Sequence, residues 1–242
     1  DLAGKLLEMD ATKTSFLSSV SHELRTPLTS LLGFAKLIRK EFTNHFLPLS
    51  SEDHKLAKRA GRIESNLEVI VQEGERLTRL ITNVLDLDRM ETGRMQWNDE
   101  LLEPEEVIAH AFRVAEGQFA LKPEVAFRKD MEPGLPKVVV DPDRLHQVLI
   151  NLMDNAAKHT DKGSVTLRAG REPDGNLFIE VKDTGVGIAR DQLDAIFEKY
   201  QQSGAKDTIR TRSGTGLGLA ICREIVHNYG GDIRVESRVG SG

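Results

Sequence analysis

The chain has 242 residues, 39% hydrophobic and 29% charged, with a formal net charge of −5 and one cysteine. This is enough to bury a core, while the acidic balance argues against a nucleic-acid binder, and the lone Cys222 excludes an internal disulfide framework and fits a reducing compartment. No signal-peptide pattern and no apolar run near the ~20 residues of a bilayer span are present, and a start without Met and an end on Val-Gly-Ser-Gly read as a piece of something longer.

From Leu2 to about Phe42, the apolar residues Phe16, Val20, Leu24, Leu28, Leu31, Ala35 and Ile38 recur in steps of three and four, which predicts one helix with one stripe. The connector Thr43 to Ser50 carries the breakers Asn44 and Pro48. Ser51 is placed to cap a second helix, with Glu52 and Asp53 at its positive end. Its stripe runs Leu56, Ala60, Ile63, Leu67, Ile70, Gly74, Leu77, Ile81, Val84 and stops at Gly93. Two helices of ~40 residues are each ~60 Å long. A lone antiparallel hairpin of that shape leaves much of its seam bare, whereas a second copy closes a four-helix bundle. A homodimer is therefore expected; packing against the rest of the chain is the alternative.

After Gly93 the period changes. Pro104 and the acids behind it open a helix over 104–120. Short β-rich runs follow at 125–127, 138–140, 165–167 and 178–181, with Asp174-Gly175 marking a hairpin between the last two. Helices are expected at about 142–160, 189–198 and 216–229, and a final strand from Ile233 to Ser237. The fold class is α+β in two domains, 1–95 and 96–242. The polar stretch Gln201–Ser213 reads as a mobile loop.

Inside the first helix lies SVSHELRTPL, residues 19–28. At ~100° per residue, His22 points ~160° away from both Val20 and Leu24, so it faces solvent. Glu23 beside it can orient an imidazole and accept its proton. A zinc reading fails, because Thr26 stands where H-E-x-x-H needs its second histidine. Pro27 leaves the Glu23 carbonyl without its helical donor, which bends and loosens the turn carrying His22; a plain packing kink is the alternative. Ser21 through Leu28 match in full the H-box, S-H-E-L-R-T-P-L, of two-component sensor histidine kinases. The resemblance implies that His22 is the phosphoacceptor and Glu23 its general base. It also implies that Thr26 positions water when a phosphorylated partner regulator is dephosphorylated.

The second half carries its own signals. On the helix HQVLINLMDNAAKHT, residues 146–160, Val148, Leu149, Leu152 and Ala156 form one face; Asn151, Asn155, Lys158 and His159 share another. An amide oxygen suits Mg²⁺ and a lysine suits phosphate, although a solvated polar face would look the same. DTGVGI, residues 183–188, follows a strand; Gly185 and Gly187 permit positive φ, and Asp183 can accept from an exocyclic amine such as adenine's. GTGLGLAI, residues 214–221, leaves backbone N–H groups free at a helix start, where phosphate binds. Its spacing is neither G-x-G-x-x-G nor a P-loop.

In this order the three segments resemble the N, G1 and G2 boxes of the histidine kinase catalytic domain. IFEKY, residues 196–200, is similar to its F-box, with Phe197 in place and Tyr200 where a second phenylalanine is usual. The resemblance implies an α/β sandwich of the histidine kinase and chaperone ATPase type that binds ATP and Mg²⁺. Asn155 would hold the metal, with Asn151 and Lys158 near the phosphates. Asp183, Gly185, Gly187, Phe197, Gly214, Gly216, Leu217 and Gly218 would line the nucleotide. Residues 201–213 would be the ATP lid, with Lys206, Arg210 or Arg212 reaching the terminal phosphate. Gly93 and the change of period after it suggest Arg94–Glu100 as the hinge about which the nucleotide domain would swing. The resemblance further implies a homodimer that autophosphorylates His22, passes the phosphoryl group to an aspartate of a response-regulator receiver domain and dephosphorylates that regulator. No nucleic-acid partner is expected. The place of this part of the chain would be cytoplasmic, with any membrane anchor in segments outside it. Two other readings stay open: an ATP-gated conformational machine, although Asn151 stands where such proteins need an acid to activate water, and a non-catalytic dimeric scaffold.

Overall fold

The computed structural model describes residues 24, 26–50, 54–199, 201 and 216–242. His22, Glu23, Ser51, Glu52, Asp53, Tyr200, Gly214 and the lid cations Lys206, Arg210 and Arg212 lie outside the described residues. The chain divides into two compact units with the boundary between Gly93 and Arg94.

In the first unit, α1 (26–41) accommodates Pro27 and leads into a π-helical turn, Phe42–Phe46, and a 3-10 turn, Pro48–Ser50. The connector is thus helical turns rather than open loop. The second helix, α2 (His54–Glu91), runs for 38 residues. It ends where Gly93, at φ 66°, takes the left-handed backbone that stops helices. The helices meet closely at Gly74, where an added Cβ would stand 3.0 Å from Leu32 Cδ1. Lys36 pairs with Glu75 at 2.6 Å. The buried apolar residues of the unit are Ala35, Ala60, Val71, Ile81, Leu85 and Leu87. Much of the described part of both stripes is bare within one chain: Leu31, Phe34 and Ile38 are more than half exposed, and Leu56, Ile63, Ile70 and Leu77 about half.

The second unit is an α+β assembly. A two-stranded antiparallel sheet joins β1 (Glu100–Leu102) to β3 (Val138–Val140), with Leu101 opposite Val139. A three-stranded mixed sheet runs in the order β2 (Val125–Met131), β4 (Gly163–Arg171), β5 (Leu177–Asp183), with β2 parallel and β5 antiparallel to β4. Period-two alternation turns Val165, Leu167 and Ala169 of β4 inward. There they meet Ile108, Ala111, Ala115 and Phe119 of α3 (Pro104–Phe119) and Leu149, Met153, Ala156 and Ala157 of α4 (Pro142–His159). On the opposite face Arg168 bridges its cross-strand neighbours Asp130 and Glu180 at 3.4 and 3.0 Å. A fifth helix, α5 (Gly218–Asn228), packs on α4. No described helix is long and apolar enough to cross a membrane.

Three expectations are corrected. The helix expected at 189–198 is a 3-10 turn, Arg190–Gln192, followed by turns whose bonds mostly span three residues. A ten-residue segment with one short apolar patch lacks the length to propagate an α-helix. Residues 233–237 alternate as a strand should but pair with no ladder among the described residues, and a strand exists only by pairing. The segment is instead held by the Ile188 N–H donating to Ser237 Oγ and the Gly240 N–H donating to the Val186 carbonyl, both at 2.8 Å. The proposed hinge also shrinks, because Glu100 lies in β1 and Trp97–Asp99 are pinned to the second unit.

Candidate nucleotide site

Asp141 starts α4. Its Oδ1 accepts from the Asp143 and Arg144 N–H groups at 3.0 and 3.2 Å, and Pro142 occupies the first turn. From this fixed start Asn151, Asn155 and Lys158 follow in steps of four and three along one face, opposite the buried Met153 and Ala157. The far end of α4 is held by the Lys122 ammonium, which donates to the Ala157 and Thr160 carbonyls and balances the negative helix terminus.

The turn after β5 closes onto that end. Asp183 Oδ1 accepts from the Gly185 N–H at 2.8 Å and from the Thr160 hydroxyl at 3.4 Å. The Val186 N–H donates to the His159 carbonyl at 3.2 Å. A Cβ on Gly185 would lie 2.2 Å from that same carbonyl oxygen, so this glycine is required for room. The expected positive φ belongs to Gly187 alone, at 68°, where a Cβ would also stand 2.1 Å from the Arg238 carbonyl oxygen.

The start of α5 reaches the middle of α4. Gly216 has φ 68°, Leu217 is fully buried, and the Asn151 Nδ2 donates to the Gly218 carbonyl at 3.4 Å. A Cβ on Gly218 would meet only Asn151 side-chain atoms at 3.6 Å or more, an ordinary contact. The two glycines therefore separate by experiment. Gly187→Ala is expected to cost about 3 kcal/mol through left-handed strain and backbone overlap, lowering the unfolding midpoint by about 6–12 °C in a calorimetric scan. Gly218→Ala is expected to leave that midpoint nearly unchanged.

Cys222 takes no part in nucleophilic chemistry: it is buried behind α4, and burial pushes its thiol up to about 12. Phe197 is half-buried beside the buried Ile196. Thr26 belongs to the first unit and is exposed. Among the described residues no three His, Cys, Asp or Glu side chains cluster as a metal site. The fit to Mg²⁺ rests on the half-exposed Asn155 amide, since this ion keeps several waters and takes its remaining oxygens from phosphates. The sequence reading did not single out Thr160, Asp141 or Lys122. Asp141 was within reach, because Asp before Pro at a helix start is a cap signal; the other two are tertiary contacts.

Two family models match the chain. Residues 140–242 match the histidine kinase-, DNA gyrase B- and HSP90-like ATPase, and residues 12–93 match the His Kinase A phospho-acceptor domain. The aerobic respiration control sensor protein ArcB of Escherichia coli K12 is 34% identical over 233 residues, covering 95% of this chain and 28% of its own length. The histidine protein kinase DivJ of Caulobacter vibrioides is 34% identical, covering 96% of this chain and 36% of its own length. The circadian input-output histidine kinase CikA of Synechococcus elongatus is 35% identical, covering 96% and 29%. The chain thus spans roughly a third of the length of these relatives. Full-length ShkA in complex with AMPPNP superposes with a TM-score of 0.71 at 28% identity, covering 94% of this chain and 43% of that one. Acinetobacter baumannii AdeS gives 0.53 at 25% identity, covering 90% and 92%.

Proposed function

This chain belongs to the two-component sensor histidine kinases, and from that premise we propose that it transfers the terminal phosphoryl group of ATP to His22 and then to an aspartate of a response-regulator receiver domain. The observation that carries the reading is the convergence on α4: its Asn151–Asn155–Lys158 face, the Asp183–Gly187 turn at its end and the glycine-opened start of α5 against its middle. The phosphoacceptor-domain match over residues 12–93 favours it over an ATP-gated machine that only opens and closes.

In this reading Asp183 selects adenine, Asn155 holds Mg²⁺, and Asn151, Lys158 and the N–H groups around Gly216–Gly218 receive the phosphates, with Gly185, Gly187, Phe197, Gly214 and Leu217 completing the wall. The metal would neutralise charge on the phosphate oxygens. The His22 imidazole nitrogen attacks the terminal phosphorus, Glu23 takes the ring proton, and ADP departs as the P–O bond breaks. A receiver carboxylate then attacks the phosphorus, and the N–P bond breaks. Thr26 orients water for the reverse duty, hydrolysis of the phosphorylated regulator. This part of the chain works in the cytoplasm.

The bare apolar stripes of α1 and α2 support a homodimer. Each leucine or isoleucine covered there contributes about 1.5–3 kcal/mol. Leu31→Glu with Ile70→Glu removes four such side chains per dimer and is expected to weaken association by more than about 10⁴-fold. Light scattering should then report a monomer. Purified wild type incubated with labelled Mg-ATP and chased with a receiver domain should lose its label to that domain. Label that stays on the chain would refute the transfer step.

A further inference from the structure

Tyr229 stands just past α5, and its side chain gathers three pieces of the second unit. Its hydroxyl donates to Asp99 Oδ1 at 2.7 Å and accepts from the Asp141 N–H at 3.0 Å. Trp97 meets the ring edge-on, with centroids 5.5 Å apart and planes at 82°. Asp141 is 3% exposed. Besides capping α4 through Oδ1, it accepts the Asn98 N–H on Oδ2 at 3.0 Å. One phenol thus ties residues 97–99, through which the chain enters this unit from Gly93, to the first turn of α4 and the last turn of α5.

The other end of α5 lies at the proposed nucleotide site, where Asn151 donates to the Gly218 carbonyl. The eleven residues of α5 span ~16 Å. They lie antiparallel to α4 and are fastened to it at both ends. Ala220, Ile221, Cys222 and Ile225 are 0–2% exposed, so the helix is closely packed along its length, as a rigid strut would be. Burial first, and then the bond to Asp99, push the Tyr229 hydroxyl up to about 12, so it remains a donor near neutral pH.

We propose that Tyr229 is a positioning residue that couples the nucleotide site at the start of α5 to the docking of Trp97–Asp99, so that bound nucleotide holds this joint closed and empty enzyme lets it open. The proposal rests on the nucleotide reading above. The two states are the docked segment described here and a released one, and coupling is reciprocal: whatever releases the segment weakens nucleotide binding by the same factor.

Trp97 is the only tryptophan, so its emission reports this joint alone. The experiment follows acrylamide quenching of Trp97 in the full chain, with and without a saturating non-hydrolysable ATP analogue and Mg²⁺, while calorimetry measures binding separately. In wild type the analogue should lower the quenching constant, because it shifts the joint toward the docked state in which Trp97 packs on Tyr229. Tyr229→Phe keeps the ring and loses the hydroxyl; its quenching should no longer respond, and its affinity for the analogue should fall by about fivefold or more, the size of a typical coupling. Asp99→Asn retains an acceptor and should keep the response. Binding heat in wild type without any change at Trp97 overturns the proposal, as does a wild-type response in Tyr229→Phe. Absence of binding heat removes the nucleotide reading and this proposal with it.

Discussion

Replacing His22 with glutamine is expected to abolish labelling of the chain by ATP carrying a labelled terminal phosphate, while nucleotide binding stays at the wild-type level. A ring nitrogen carries the phosphoryl group as an N–P bond, which acid cleaves and base spares, whereas a serine or threonine ester behaves in the opposite way. Wild-type label should therefore vanish on acid treatment and survive alkali. Glutamine matches the polarity of histidine but offers no nucleophile. Glu23→Gln should retain the phosphorylation site and slow its labelling by roughly 10²–10⁴-fold, the usual worth of a general base. Acid-stable label, or label persisting in His22→Gln, would place the phosphoacceptor elsewhere. Steady ATP turnover undiminished in His22→Gln would favour the ATP-gated machine.

The sequence and the structure agree where local chemistry decides the outcome. Pro104, with Glu105 and Glu106 in the first turn, opens α3, and Asp174-Gly175 turns the β4–β5 hairpin with Gly175 at φ 93°. Gly93 stops α2 by taking the left-handed backbone at φ 66°, and a glycine at such a position is visible in the sequence. What eluded the sequence is set by partners far along the chain. β1 is three residues long and exists because Val138–Val140 lies beside it. Residues 233–237 have the alternation of a strand and no described neighbour to pair with, so pattern alone overstated them. In the candidate site, Asn151, Asn155 and Asp183 stood out by residue type. The reason for Gly185 was not: its crowding comes from the carbonyl of His159, on a different element, and no positive φ is involved. Thr160 and Tyr229 were silent for the same reason, since a hydroxyl's partner is known only once the fold has chosen it.

Asp183→Asn is the substitution expected to alter nucleotide choice most. One carboxylate oxygen is already committed to the Gly185 N–H and the Thr160 hydroxyl; in the proposed reading the other accepts the exocyclic amine of adenine. Asparagine can keep its carbonyl oxygen on Gly185, which preserves the turn and should leave the unfolding midpoint close to wild type. Its amide nitrogen then faces the adenine amine, donor against donor. The loss is a hydrogen bond to a charged acceptor, about 1.5–3 kcal/mol, so ATP affinity should fall by roughly 10- to 150-fold. A guanine base presents an oxygen at the corresponding position, which the new amide can donate to. Discrimination against a GTP analogue should therefore narrow in the same variant even as ATP binding weakens. Calorimetric titration of wild type and Asp183→Asn with both analogues measures this directly. If the variant binds the ATP analogue as tightly as wild type, the adenine does not sit on Asp183, and the base must be recognised elsewhere.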